Sequence, residues 1–141
     1  MGLYKEETMS HLVRNTAYGE LFDDNSFIGL LLENDTWSDK EYWLLEVELI
    51  EILRKGVNND NISAILTIVS DITNFPNIGH TNLSLKDKNC RKRSNIAEAT
   101  EPTIYDRYHR LRTLLRAILG DDIDFLNIDF EYQPNIVDNI K

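Results

Sequence analysis

The sequence predicts an all-α fold, a compact single-domain bundle of about five to seven helices with a long middle loop. Three observations carry that expectation. Ser38 with Glu41, and Thr103 with Asp106, each place a hydroxyl three residues ahead of a carboxylate, the spacing that starts a helix. Apolar side chains after both pairs recur at helical spacing. A chain of 141 residues with 42% hydrophobic content is the size of one domain, which buries roughly two thirds of its unfolded surface. The expected organisation is one domain over 1–141, with a helical core from about residue 25 to about residue 130, a loop over 80–102 and a tail over 134–141.

Taken in order, Asn25 or Ser26 caps a short helix through Phe27, Ile28, Leu30, Leu31 and Leu32, ending before Asn34-Asp35. The main helix then runs from about residue 39 to about residue 55, with Arg54 and Lys55 near the negative end of its dipole and Gly56 available to end it. A projection at about 100° per residue puts Tyr42, Leu45, Leu49, Ile52 and Leu53 on one face and Trp43, Val47 and Ile50 on a second. Glu41, Glu48 and Glu51 share the narrow polar strip that remains, while Glu46 falls between the apolar faces.

Asn61 to Phe75 is rich in β-branched residues and reads as a buried strand by composition, but its length and its Asn cap favour a helix. Pro76 ends it, and Asn77 and Gly79 mark a turn. From His80 to Glu101 there is little periodicity, so the stretch reads as a long loop. A helix follows from about residue 104 to about residue 119, ahead of Gly120. Its core face is Ile104, Tyr108, Leu111, Leu115 and Ile118, with Leu114 and Leu119 beside it, and Arg107, Arg110, Arg112 and Arg116 on the remainder. Residues 121–132 suit either a short helix or an alternating strand.

The net charge of −9 is unevenly distributed. Residues 20–60 hold eleven acids against three bases, residues 86–116 nine bases against four acids, and residues 121–141 carry −5. Such a surface opposes phosphate except at its one basic block, so a cationic protein partner suits the chain better than direct nucleic-acid binding. No apolar run reaches the roughly 18 residues a bilayer span needs. The N-terminus lacks a secretion signal, and Glu6 and Glu7 spoil a myristoylation motif after Met1-Gly2. A cytoplasmic protein with no membrane partner is expected. The lone Cys90 makes no internal disulfide and reads as a passive thiol.

Catalytic signatures are lacking: no phosphate loop, zinc-protease helix, Cys-x-x-Cys pair or nucleophile elbow occurs. His11, His80 and His109 are far apart in sequence. Glutamates on one helix without a neighbouring His are ordinarily a solvated face. The expectation is a non-enzyme with no catalytic residue, cofactor or metal.

The run Ser26-Phe27-Ile28, then Glu33-Asn34, then Trp37-Ser38-Asp39-Lys40-Glu41-Tyr42-Trp43-Leu44-Leu45-Glu46 resembles the N-terminal signature of a bacterial polymorphic-toxin immunity family, of the kind paired with contact-dependent growth-inhibition toxins. Tyr105-Asp106-Arg107-Tyr108-His109-Arg110-Leu111 is more loosely similar to that family's aromatic, Arg-rich helix. The resemblance implies a small helical protein that binds the C-terminal domain of one cognate toxin, one to one, and occludes it. Such toxins are commonly nucleases with basic clefts, which an acidic inhibitor complements. On that footing the expected partner-binding residues are Glu41, Glu48, Glu51, Asp121, Asp122, Asp124 and Tyr132. The segments the resemblance does not cover, His80 to Glu101 and Gly120-Asp121-Asp122, are candidate contact surfaces by the same resemblance. Two other readings follow from the residues: a phosphate- or nucleic-acid-binding module built on the 86–116 basic block, and a non-catalytic subunit of a larger assembly that buries the two-sided apolar helix.

Overall fold

The computed structural model describes residues 10–74, 83–94 and 101–135. Five helices and four short strands occur among them: α1 (Ser10–Arg14), α2 (Phe27–Asn34), β1 (Thr36–Ser38), α3 (Asp39–Lys55), α4 (Ile62–Asn74), β2 (Ser84–Lys86), β3 (Cys90–Lys92), α5 (Ile104–Ile118) and β4 (Tyr132–Pro134). A 3₁₀ turn, Phe125–Asn127, lies between α5 and β4. Pro76, Asn77, Gly79, His80 and residues 136–141 of the expected tail lie outside the described residues.

Helix starts follow the capping chemistry. Ser26 Oγ accepts from Gly29 N–H, Ser38 Oγ from Glu41 N–H, and Thr103 Oγ1 from Asp106 N–H. Only the last is a closed capping box, because Asp106 Oδ2 accepts in return from Thr103 N–H. Glu41 turns instead toward Arg14 of α1, 3.3 Å away. The β-branched stretch folds as helix α4, and its entry is organised one turn before Asn61. Asn58 Oδ1 accepts from the N–H groups of Asp60 and Asn61, and Asn61 Oδ1 accepts from Asn58 N–H.

The all-α expectation is overturned by two small sheets, which make the fold mixed α/β. β1 and β2 pair in parallel, with Trp37 opposite Leu85; β3 and β4 pair antiparallel, with Arg91 opposite Gln133. Each strand is three residues long, too short for a period-two pattern to register. β1 is also buried along its whole length, so it shows no alternation. The expected loop over 80–102 supplies β2 and β3, whose partners lie far away in the chain. Pairings of that kind leave no local sequence signal.

Helices α3 and α5 are the central pair of the core. Tyr42, Leu45, Leu49 and Ile52 of α3 meet Leu111, Leu114, Leu115 and Ile118 of α5, all buried. An aromatic group of Phe27, Trp37, Tyr42, Trp43 and Tyr132 lies at one end, with successive ring centroids 4.6 to 6.1 Å apart. Edge-to-face pairs of this kind add about 0.5–1.5 kcal/mol beyond area burial. Val47, expected on a covered second face of α3, is 68% exposed.

Candidate functional site

Two arginines expected on the solvent side of α5 lie inside the protein. Arg107 is fully buried and grips Asp39, at the first turn of α3, by a two-pronged ion pair: Nε to Oδ1 at 3.0 Å and Nη2 to Oδ2 at 3.1 Å. Its Nη1 donates to the Pro102 carbonyl, and its guanidinium stands 5.1 Å from the Tyr132 ring centre. Asp39 accepts two further bonds, from the Tyr132 hydroxyl at 2.6 Å and from Asn89 N–H at 3.2 Å. Trp37 Nε1–H donates to the Tyr132 oxygen.

One turn along, Arg110 repeats the pattern on Glu46, with Nε and Nη2 at 2.9 and 3.0 Å from the two carboxylate oxygens and Nη1 donating to the Tyr132 carbonyl. The Tyr42 hydroxyl donates to the same Glu46. Arg110 is packed among the rings of Trp43, Phe125 and Phe130.

The protonation states follow from these contacts. Burial raises the Asp39 pKa, but hydrogen bonds from Arg107 and Tyr132, with the Arg107 charge, outweigh it and leave the pKa below the ordinary carboxylate value. Burial, then the negative charge of Glu46 or Asp39, lifts Tyr42 and Tyr132 well above the usual phenol range, so both remain donors. Burial and the neighbouring Asp39 push the Cys90 thiol up to about 12, which leaves it protonated and unreactive. Donors and acceptors here satisfy one another, so the network clamps α3, α5, β3 and β4 together. Among the described residues, no group of three or more His, Cys, Asp and Glu is placed to hold a metal ion.

The residues expected to touch a partner are spread over three places. Glu48 is buried and works inside the protein: its carboxylate accepts from His11 N–H at 3.1 Å and Leu12 N–H at 2.7 Å, capping the first turn of α1. Glu41, half-buried, faces Arg14 of the same helix, and Glu51 pairs with Lys55 on the α3 surface. Asp121, Asp122 and Asp124 are exposed on the turn after α5, where Asp121 holds Arg116 and Asp124 holds the Asn127 amide. Tyr132 is fully buried in the network just described.

Sequence reasoning missed Arg107 and Glu46 as core residues, although a signal existed. Arg107 is spaced four, seven and eleven residues before Leu111, Leu114 and Ile118, on the apolar stripe itself. Glu46 was already visible between two apolar faces. Arg107 meets Asp39 and Glu46 meets Arg110, so each buried charge has its counter-charge on the facing helix.

Much of the sequence's charge asymmetry is thus internal. Beyond Arg107 and Arg110, the basic block places Lys88 on Glu101, Arg93 on Asp129 and Glu131, and Arg116 on Asp121. Residues 15–39, in contrast, hold six acids and no base. Among the described residues of that stretch, Glu20, Asp24 and Glu33 are exposed and form no ion pair.

Among the described residues no helix is long and apolar enough to cross a membrane. No curated protein and no solved structure matches the chain. A family model described as Immunity protein 41 matches residues 14–131, a span that begins at the arginine joining α1 to α3, takes in Asp39, Glu46, Arg107 and Arg110, and stops one residue before Tyr132. The chain therefore belongs to the immunity protein 41 family and has the toxin-neutralising role of an immunity protein.

Proposed function

We propose that this protein neutralises a nuclease toxin of the contact-dependent growth-inhibition type, acting in the cytoplasm as a non-catalytic inhibitor. It binds one to one over the toxin's C-terminal domain and covers the cleft that holds nucleic acid. The observation that carries this reading is the acidic stretch 15–39, with Glu20, Asp24 and Glu33 exposed and unpaired among the described residues. A nuclease cleft must be basic to hold phosphate, and an acidic inhibitor both complements that field and accelerates encounter. Asp121, Asp122 and Asp124 add to the same long-range attraction from the turn after α5. The 86–116 block fits a phosphate-binding role less well, because five of its nine bases are engaged with acids.

The test is co-expression with the C-terminal domain of the large secreted protein encoded immediately upstream. Restored growth, intact cellular RNA and DNA, and a one-to-one complex by titration calorimetry are expected. Continued growth arrest with no complex would remove the reading.

A further inference from the structure

The loop joining α1 to α2 presents the most exposed large apolar side chain among the described residues, Tyr18 at 99%, with Leu21 at 67% three residues on. Its tip consists of two consecutive turns. Gly19 N–H donates to the Thr16 carbonyl at 3.1 Å, and Phe22 N–H to the Gly19 carbonyl at 3.3 Å. Tyr18 and Leu21 therefore occupy the same third position of their turns. Tyr18 stands there with φ +68°, in the left-handed region that turns ordinarily fill with glycine. Glycine is present next door, at 19, yet the bulky aromatic holds the strained position and gains no contact within the protein from doing so.

The base of the loop is firmly held. Asn15 Oδ1 accepts from Ile28 N–H and its amide donates to the His11 carbonyl, while the Thr16 hydroxyl donates to the Leu12 carbonyl. On the return side Asp23 takes the Arg14 guanidinium at 2.9 Å, and its N–H donates to the Arg14 carbonyl. Phe22 packs against the core. The chain at Asp23 and Asp24 lies so close to α2 that a Cβ on Gly29 would sit 2.4 Å from the Asp23 carbonyl oxygen. This contact brings Asp24 against α2, and Glu33 lies one turn beyond Gly29 on the same helix face. An aromatic ring and a leucine thus stand on a preset loop within a stretch whose exposed acids include Glu20, Asp24 and Glu33, with no base between residues 15 and 39.

We propose that this double turn is the surface that docks the toxin, with the Tyr18 ring entering the basic cleft as a nucleobase would and the three carboxylates lying where phosphates would. The inference rests on the nuclease reading above and adds where and how the cleft is filled. Tyrosine is well suited to such an anchor. Its ring stacks on arginine and lysine cations, its hydroxyl donates or accepts, and few torsions are frozen on binding. Because both ends of the loop are tied down, little further ordering is needed when the partner arrives.

The experiment measures binding of the full chain to a catalytically inactive form of the upstream-encoded toxin domain, for the wild type, Tyr18→Gly, Leu21→Ser, and Leu66→Ser as a distant exposed control on α4. Tyr18→Gly removes no internal contact and suits the local φ, so its melting temperature should stay within about 3 °C of wild type. Its affinity should fall about a hundredfold or more, mostly through faster dissociation. Leu21→Ser should lose about tenfold, and Leu66→Ser should stay within about threefold. A wild type that binds, with Tyr18→Gly and Leu21→Ser binding equally well, overturns this inference and leaves the nuclease reading standing. Failure of the wild type to bind overturns that reading and the inference with it.

Discussion

Arg107 and Asp39 lie 68 residues apart in the chain and meet in the core at 3.0 and 3.1 Å, one at 0% and the other at 1% side-chain exposure. The guanidinium fork and the carboxylate are matched atom for atom, and each nitrogen and each carboxylate oxygen of the pair has a protein partner. That completeness is what makes a buried ion pair tolerable, since an unmatched charge in the same place is strongly destabilising.

Breaking the pair on one side should therefore be severe. Arg107→Met leaves the Asp39 carboxylate buried without its cation, and urea unfolding should show a loss of about 3–5 kcal/mol. Asp39→Asn should also destabilise, and the double variant should recover part of the loss. The pH dependence has a definite sign. Because the folded pKa of Asp39 is depressed below 3.8, its contribution is present above that value and is lost as pH falls through the lower folded pKa. Asp39→Asn should flatten the acid limb of the stability curve. An unchanged limb would contradict the assignment.

Tyr132→Phe tests the hub of the network. The hydroxyl serves Trp37 and Asp39 together, so its removal leaves a buried indole N–H without an acceptor and should cost about 1–3 kcal/mol. With the side chain wholly enclosed, toxin affinity measured on the folded variant should be unchanged.

Glu48 should behave as a cap. Glu48→Gln weakens acceptance from His11 and Leu12 N–H groups, so hydrogen exchange at 11–16 should accelerate while the α3 and α5 amides keep their protection. Uniform loss of protection across all helices would argue against a local anchoring role.

Charge reversal at Glu20, Asp24 and Glu33 together should slow toxin association about tenfold or more at low salt, with little change in dissociation. The difference should vanish near 1 M salt, where the screening length falls to about 3 Å. Equal association rates at low salt would detach these acids from the encounter.

How much of this was legible in the sequence depends on how local the cause is. Ser38 and Thr103 mark helix starts because their partners are three residues away, and α3 and α5 begin where those caps place them. Glu48 read as surface because the helix it caps lies 36 residues upstream and is only five residues long. The strands β1 to β4 pair across similar distances and are too short to carry a pattern. Tyr132 is expected from the sequence to touch a partner, but its burial depends on Asp39, Arg107 and Trp37 arriving from three other elements. Nothing in the sequence singles out Tyr18 and Leu21. Only the hydrogen-bonded turns, and the exposure of the two side chains among the described residues, set them apart.

If this protein occludes a nucleic-acid cleft, it must displace nucleic acid from the toxin, and a titration reads that displacement. A fluorescent oligonucleotide would be bound to the catalytically inactive toxin domain and this protein added in increments. The oligonucleotide should be released completely at one equivalent, with the end point unchanged by further addition. A complex in which the oligonucleotide stays bound, or no complex at all, would contradict occlusion.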